Sequence, residues 1–154
     1  MRKLLAGVLV AVTLGGTACA IANEPERDEQ GQVKEQGDVS IFHLRLGDCT
    51  QDASLGLVSN VGAVPCDQEH AYEVFAVAQY QGDTYDAAKI DSFAQEVCAA
   101  EFKTFVGRDV SDSVLDVTYL TPTADSFGRD DREVACLVGS GAAPTTGSLR
   151  GADR

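Results

Sequence analysis

His70 and Glu73 are the residues of this chain whose types and spacing come closest to a chemical pair. An imidazole and a carboxylate stand three positions apart, just after Cys66, in a protein with only two histidines. On a helix, a His-x-x-Glu pair can ligate a metal, and a carboxylate beside a histidine can orient a general base. The surrounding pattern is that of a strand, and on a strand an i to i+3 spacing sends the two side chains to opposite faces. The expected role of His70 is therefore structural: it hydrogen-bonds a neighbouring loop and closes the turn. An envelope hydrolase using His70 as general base is the competing reading. No serine lies in a Gly-x-Ser-x-Gly elbow, and no Walker, dinucleotide-binding or EF-hand motif is present. Asp130, Asp131 and Arg132 place carboxylates beside a guanidinium, a grouping that reads as loop ion pairs. The expectation is no catalytic residue, no metal and no cofactor, and the absence of Trp argues against an aromatic carbohydrate platform.

Five cysteines occur, at positions 19, 49, 66, 98 and 136. Cys49, Cys66, Cys98 and Cys136 form an even set without the tight Cys-x-x-Cys spacing of zinc ribbons, so they read as two disulfides of an exported chain. Three connectivities are open. The sequential one, Cys49–Cys66 and Cys98–Cys136, is preferred because each bond then joins neighbouring elements.

Cys19 belongs to the export region. Arg2 and Lys3 precede an apolar run from Leu4 to Leu14 and then small residues, the layout of a signal peptide over residues 1–22. The run is too short to span a bilayer, which takes about 20 residues. Gly16-Thr17-Ala18-Cys19 resembles a lipobox, which predicts cleavage before Cys19, its lipidation, and attachment to the outer face of the cytoplasmic membrane. Ordinary cleavage at Ala18-Cys19-Ala20 or Ala20-Ile21-Ala22 predicts a secreted protein instead. A formal charge of −12 disfavours nucleic acid and anionic membrane surfaces.

The elements that position these residues follow from periodicity. Residues 23–38 are acidic and nearly devoid of large apolar side chains, and are expected to form a disordered spacer. Alternation of Phe42, Leu44 and Leu46 with His43 and Arg45 predicts a strand from Val39 that puts His43 on a solvated face. A second strand is expected over Leu57–Val64, ending at Pro65. A third runs from Tyr72 to Tyr80, with Tyr72, Val74, Ala76 and Ala78 on one face and Glu73, Phe75, Val77 and Gln79 on the other. One helix, Asp86 to Gly107, carries an apolar stripe that includes Cys98. Strands near Leu115–Tyr119 and Arg132–Val138 complete the set, and residues 140–154 read as a C-terminal tail. The fold class is α+β: a small, mostly antiparallel sheet over residues 39–139 with one main helix packed on it and two disulfides.

Several of these residues recur as ordered motifs: Gly47-Asp48-Cys49, Val64-Pro65-Cys66 with His70 and Glu73-Val74-Phe75, Cys98, Pro122-Thr123, Phe127-Gly128, Arg132, Cys136 and Thr146-Gly147-Ser148-Leu149-Arg150-Gly151. In this order they resemble the actinobacterial septum formation domain family. Phe127 stands where the family has Trp, and Gly128-Arg129-Asp130-Asp131-Arg132 is longer than its usual Gly-Asp-Arg. The resemblance implies an envelope protein linked to cell division, with no known reaction. The expected function is a lipid-anchored, noncatalytic module that binds another envelope or division protein. His70, Glu73, Phe127 and Arg132 are its candidate interaction surface.

Overall fold

A computed structural model of the chain describes residues 24–51, 60–141 and 143–154. The export region, with Cys19, and the start of the expected Leu57–Val64 strand lie outside the described residues. Six strands form one antiparallel sheet: β1 (Gly37–Ser40), β2 (Cys49–Thr50), β3 (Asn60–Val64), β4 (Tyr72–Gln79), β5 (Asp116–Leu120) and β6 (Glu133–Gly139). Their order across the sheet is β1-β3-β2-β4-β6-β5. The helix α1 (Ala87–Val106) packs on one face, and a one-turn helix α2 (Ala124–Phe127) lies between β5 and β6.

Helix α1 forms where the apolar stripe predicts it, and its ends have local causes. Asp86 accepts a hydrogen bond from the Lys89 amide, and Gly107 closes the helix in the left-handed conformation at φ 96°. Its buried stripe, Ile90, Ala94, Cys98, Phe102, Phe105 and Val106, turns toward the sheet. Cys98 bonds Cys136 on β6 with Cα atoms 5.5 Å apart, stapling helix to sheet. Cys49 bonds Cys66 across the β2 corner at 5.3 Å. Both are the preferred sequential pairs.

The simple alternation expected along β4 breaks. Val74 pairs with Leu137 and Ala76 with Cys136, so Phe75 is an inserted bulge residue. Phe75 and Ala76 both join the helix-side core, while Val74 joins the core on the opposite face. Phe75 then meets Phe102 edge-on at 5.8 Å and Phe105 at 5.9 Å, ring contacts worth about 0.5–1.5 kcal/mol each beyond burial.

The second face explains two further departures. A sheet apolar on both sides must be covered on both. The expected strand from Val39 stops at Ser40 and turns through a single 3-10 turn, Ile41–His43. Leu44 is thereby buried with Val39, Val61, Val74, Ala135 and Leu137, whereas Phe42 and Leu46 stay exposed. His43 remains at the surface, paired with Glu24.

The segment read as a disordered spacer also packs here. Val33 is buried in the same cluster, Arg27 bridges Val33, and the Arg27 guanidinium grips the buried Asp48 carboxylate through both nitrogens, Nη2 at 2.9 Å. Hydrogen bonding to Asp48 outweighs burial and raises the Arg27 pKa. A polar segment is thus ordered by a buried ion pair with Asp48, a surface pair between Glu24 and His43, and one apolar anchor, Val33.

Residues after Gly139, read as a C-terminal tail, are ordered by contacts with the domain. Thr145 forms a backbone bridge with His70, the Gly147 amide donates to the Cys66 carbonyl at 2.7 Å, and the Gly151 amide donates to the Phe105 carbonyl at 2.8 Å. Leu149 is buried in the helix-side core. The segment runs as a strap from the disulfide corner to the end of α1.

Candidate functional site

Strand β4 has a polar constellation at each end, and the two differ in what they offer. At its start, His70 is 1% exposed and Glu73 2% exposed. His70 Nδ1 donates to the Gln68 carbonyl at 2.9 Å, which leaves Nε2 to accept from the Thr145 hydroxyl at 3.2 Å. The Glu73 carboxylate accepts from the Ser148 hydroxyl at 2.7 Å and from the Leu149 amide at 2.6 Å. Glu73 points to the helix side because its partner on β6 is Val138, a member of that core.

Ligating atoms of Cys49, His70 and Glu73 all lie within 4.8 Å of one another. Cys49 is bonded to Cys66, so its sulfur is no thiolate. The Glu73 oxygens and His70 Nε2 are taken up by the strap, and His70 Nδ1 by the Gln68 carbonyl. In this state the residues do not fit a metal; they form a buried polar lock.

At the far end of β4 the sequence builds an open site. Thr123 and Ser126 cap α2 reciprocally, fixing the loop that follows. Asp130 turns the loop in the left-handed conformation at φ 71°, which short polar side chains tolerate. The loop folds back so that the Arg132 guanidinium lies 3.4 Å from the Phe127 ring centroid. Nη1 of Arg132 also donates to the Phe127 and Asp131 carbonyls, each at 2.9 Å. Phe127 is buried, and Tyr85 at 5.7 Å and Tyr80 at 6.5 Å brace its ring. Phe93 of α1 backs Tyr80 at 5.6 Å.

Two clefts open beside Arg132. One, of about 330 Å³, is lined by Phe42, Gln79, Ser126, Arg129 and the run Asp130 to Glu133. The other, of about 290 Å³, lies among Gln79 to Asp83, Asp130 and Arg132. Burial, reinforced by repulsion from Asp131 and opposed by His43, pushes the Glu133 carboxyl up from its ordinary range.

The four residues expected to share one surface therefore separate. His70 and Glu73 stand near one end of β4, Phe127 and Arg132 at the other, across roughly 20 Å of strand. Only Arg132 reaches a cleft; His70, Glu73 and Phe127 are buried and act by holding others. Gln79, Glu133 and Phe42 line the site without having been singled out in the sequence. No motif marks them, because Gln79 and Glu133 meet only by pairing of β4 with β6, and Phe42 is delivered by the turn after β1.

The architecture and its clefts define a small antiparallel α+β domain, stapled by two disulfides, with an arginine-centred recess at one end of its long strand. Among the described residues, no helix is long and apolar enough to cross a membrane. The chain matches the family model described as septum formation over residues 17–154, and it belongs to that family. No curated protein and no solved structure matches it.

Proposed function

We propose that this protein is an exported, lipid-anchored and noncatalytic binding module of the cell envelope. It would act in septum formation by engaging another envelope or division protein through the recess around Arg132. The observation that carries the reading is the pair of clefts flanking a guanidinium stacked on a braced aromatic ring. Such a built site on an otherwise compact domain fits recognition of a partner. The disulfides and the family fit an extracytoplasmic setting. Anchoring rests on the lipobox-like run ending at Cys19, which would hold the domain at the outer face of the cytoplasmic membrane.

A photocrosslinking residue at Gln79, followed by partner identification in the native envelope, tests the proposal. Enrichment of a division or wall protein that is lost on Arg132→Ala is expected, and enrichment of none counts against it. Mass spectrometry should find a diacylglyceryl group on Cys19, whereas a mature N-terminus at Ile21 or Asn23 would remove the anchor. The hydrolase reading has one observation in its favour, the contact between His70 Nε2 and the Thr145 hydroxyl. Burial of His70 and the position of both clefts at the opposite end of β4 weigh against it. Hydrolysis abolished by His70→Gln in a correctly folded protein would restore it.

A further inference from the structure

Glu133 is an acidic side chain without a hydrogen-bond or ion-pair partner, since the nearby His43, which acts on it only through its charge, pairs with Glu24. Glu133 Oε1 is buried and has no hydrogen-bond partner. Burying a carboxylate oxygen without a donor is costly, and the neighbouring donors are committed elsewhere. Arg132 is taken by two carbonyls and by Asp130 at 3.7 Å, and Arg129 pairs with Asp125. Asp131 adds a second negative charge at the same place and spends its own oxygen on the Glu133 amide at 3.0 Å. Thr50 Oγ1 is the other unpartnered buried atom among the described residues, but Thr50 lines neither cleft. Glu133 lines the larger cleft, whose wall also carries the exposed ring of Phe42. The wall also holds Arg129 and Arg132, each paired with an aspartate, so Asp131 and Glu133 are left without counter-ions and favour a cation in the cleft. A second void that Glu133 lines is only about 10 Å³, at the lower limit for one water.

We propose that the larger cleft receives a single basic side chain, lysine or arginine, from a segment of the partner protein, with Glu133 as its counter-charge and Phe42 as its wall. This rests on the binding reading above and specifies its chemistry. The strongly acidic chain adds a long-range field of the right sign, but the cleft supplies the selectivity.

The test is an NMR titration of the purified protein with short peptides carrying one lysine, one arginine, or the neutral citrulline. A free diamine serves as a further probe. Lysine or arginine peptides should shift the amides of Phe42, Gln79 and Glu133, and Glu133→Gln should weaken binding by about tenfold, the loss of one charge-assisted hydrogen bond. Glu96→Gln, on the exposed face of α1, should leave it unchanged. Equal binding of the citrulline peptide, no binding of either basic peptide, or equal losses in the two glutamate variants each overturns the proposal. A diamine that binds as well as the peptides overturns the assignment to a protein side chain. If crosslinking finds a division partner whose capture ignores Glu133→Gln, this inference fails while the binding reading survives. Absence of any partner defeats that reading itself.

Discussion

Replacing Glu73 by Gln tests whether the strap is held by the bonds that the structure shows. The carboxylate uses both oxygens, one for the Ser148 hydroxyl and one for the buried Leu149 amide. Hydrogen bonds to a charged acceptor contribute about 1.5–3 kcal/mol each. Glutamine keeps the volume and one acceptor oxygen, so one such bond is lost and the variant should be destabilised by about 1.5–3 kcal/mol. Glu73→Ala leaves the Leu149 amide buried without a partner and should cost more. Urea unfolding of the single variants and of Glu73→Gln with Ser148→Ala forms a double-mutant cycle, with a coupling of about 1 kcal/mol expected. Hydrogen exchange should show the Leu149 and Gly151 amides losing protection while those of central α1 keep theirs. Zero coupling together with unchanged protection at Leu149 would refute the lock.

Other perturbations separate the remaining contributions. The Glu133 carboxyl is held above its ordinary range by burial and Asp131, against His43. The folded state therefore holds this proton more tightly than the unfolded chain, and the stability it contributes falls as pH rises through the raised value. Glu133→Gln should accordingly raise the melting temperature at neutral pH, with the gain shrinking toward the acid side of the ordinary glutamate range. A gain independent of pH would rule out titration as its cause. Arg27→Ala leaves the Asp48 carboxylate buried and unpaired and should cost about 3–5 kcal/mol by denaturant unfolding; a loss below 1 kcal/mol would mean that the N-terminal segment is not anchored there. Leu149→Ala should cost about 2–5 kcal/mol, and combining it with Glu73→Gln should cost less than the sum, since both release the same strap.

The helix, the long strand and both disulfides were legible in the sequence because each rests on a local pattern: an apolar stripe with Asp86 and Gly107 at its ends, a run from Tyr72 to Gln79, and cysteines on adjacent elements. The N-terminal segment was not legible. Val33 alone is a sizeable apolar residue there, and the bond that orders the segment joins Arg27 to a residue 21 positions away. The strap's motif from Thr146 to Gly151 was visible, but its attachment was not: its Gly, Ser and Thr composition looks like a tail, and it is held through backbone amides that every sequence possesses. The bulge at Phe75 left no mark in an unbroken apolar run. Of the site, Phe127 and Arg132 were visible through their motif, but Glu133 gained its character only when the fold buried its carboxyl oxygen and brought the turn bearing Phe42 to the same cleft.

The strap also bears on the order of events in folding. Glu73 meets its partners 75 and 76 positions further along the chain. Contacts at such separation require the largest loops to close and tend to slow folding. Until Ser148 and Leu149 arrive, a sheet otherwise assembled through β6 would enclose a carboxylate that nothing satisfies, so its consolidation is penalised. The lock thus links completion of the fold to delivery of residues far downstream, and a nascent chain that still lacks them is kept from settling early.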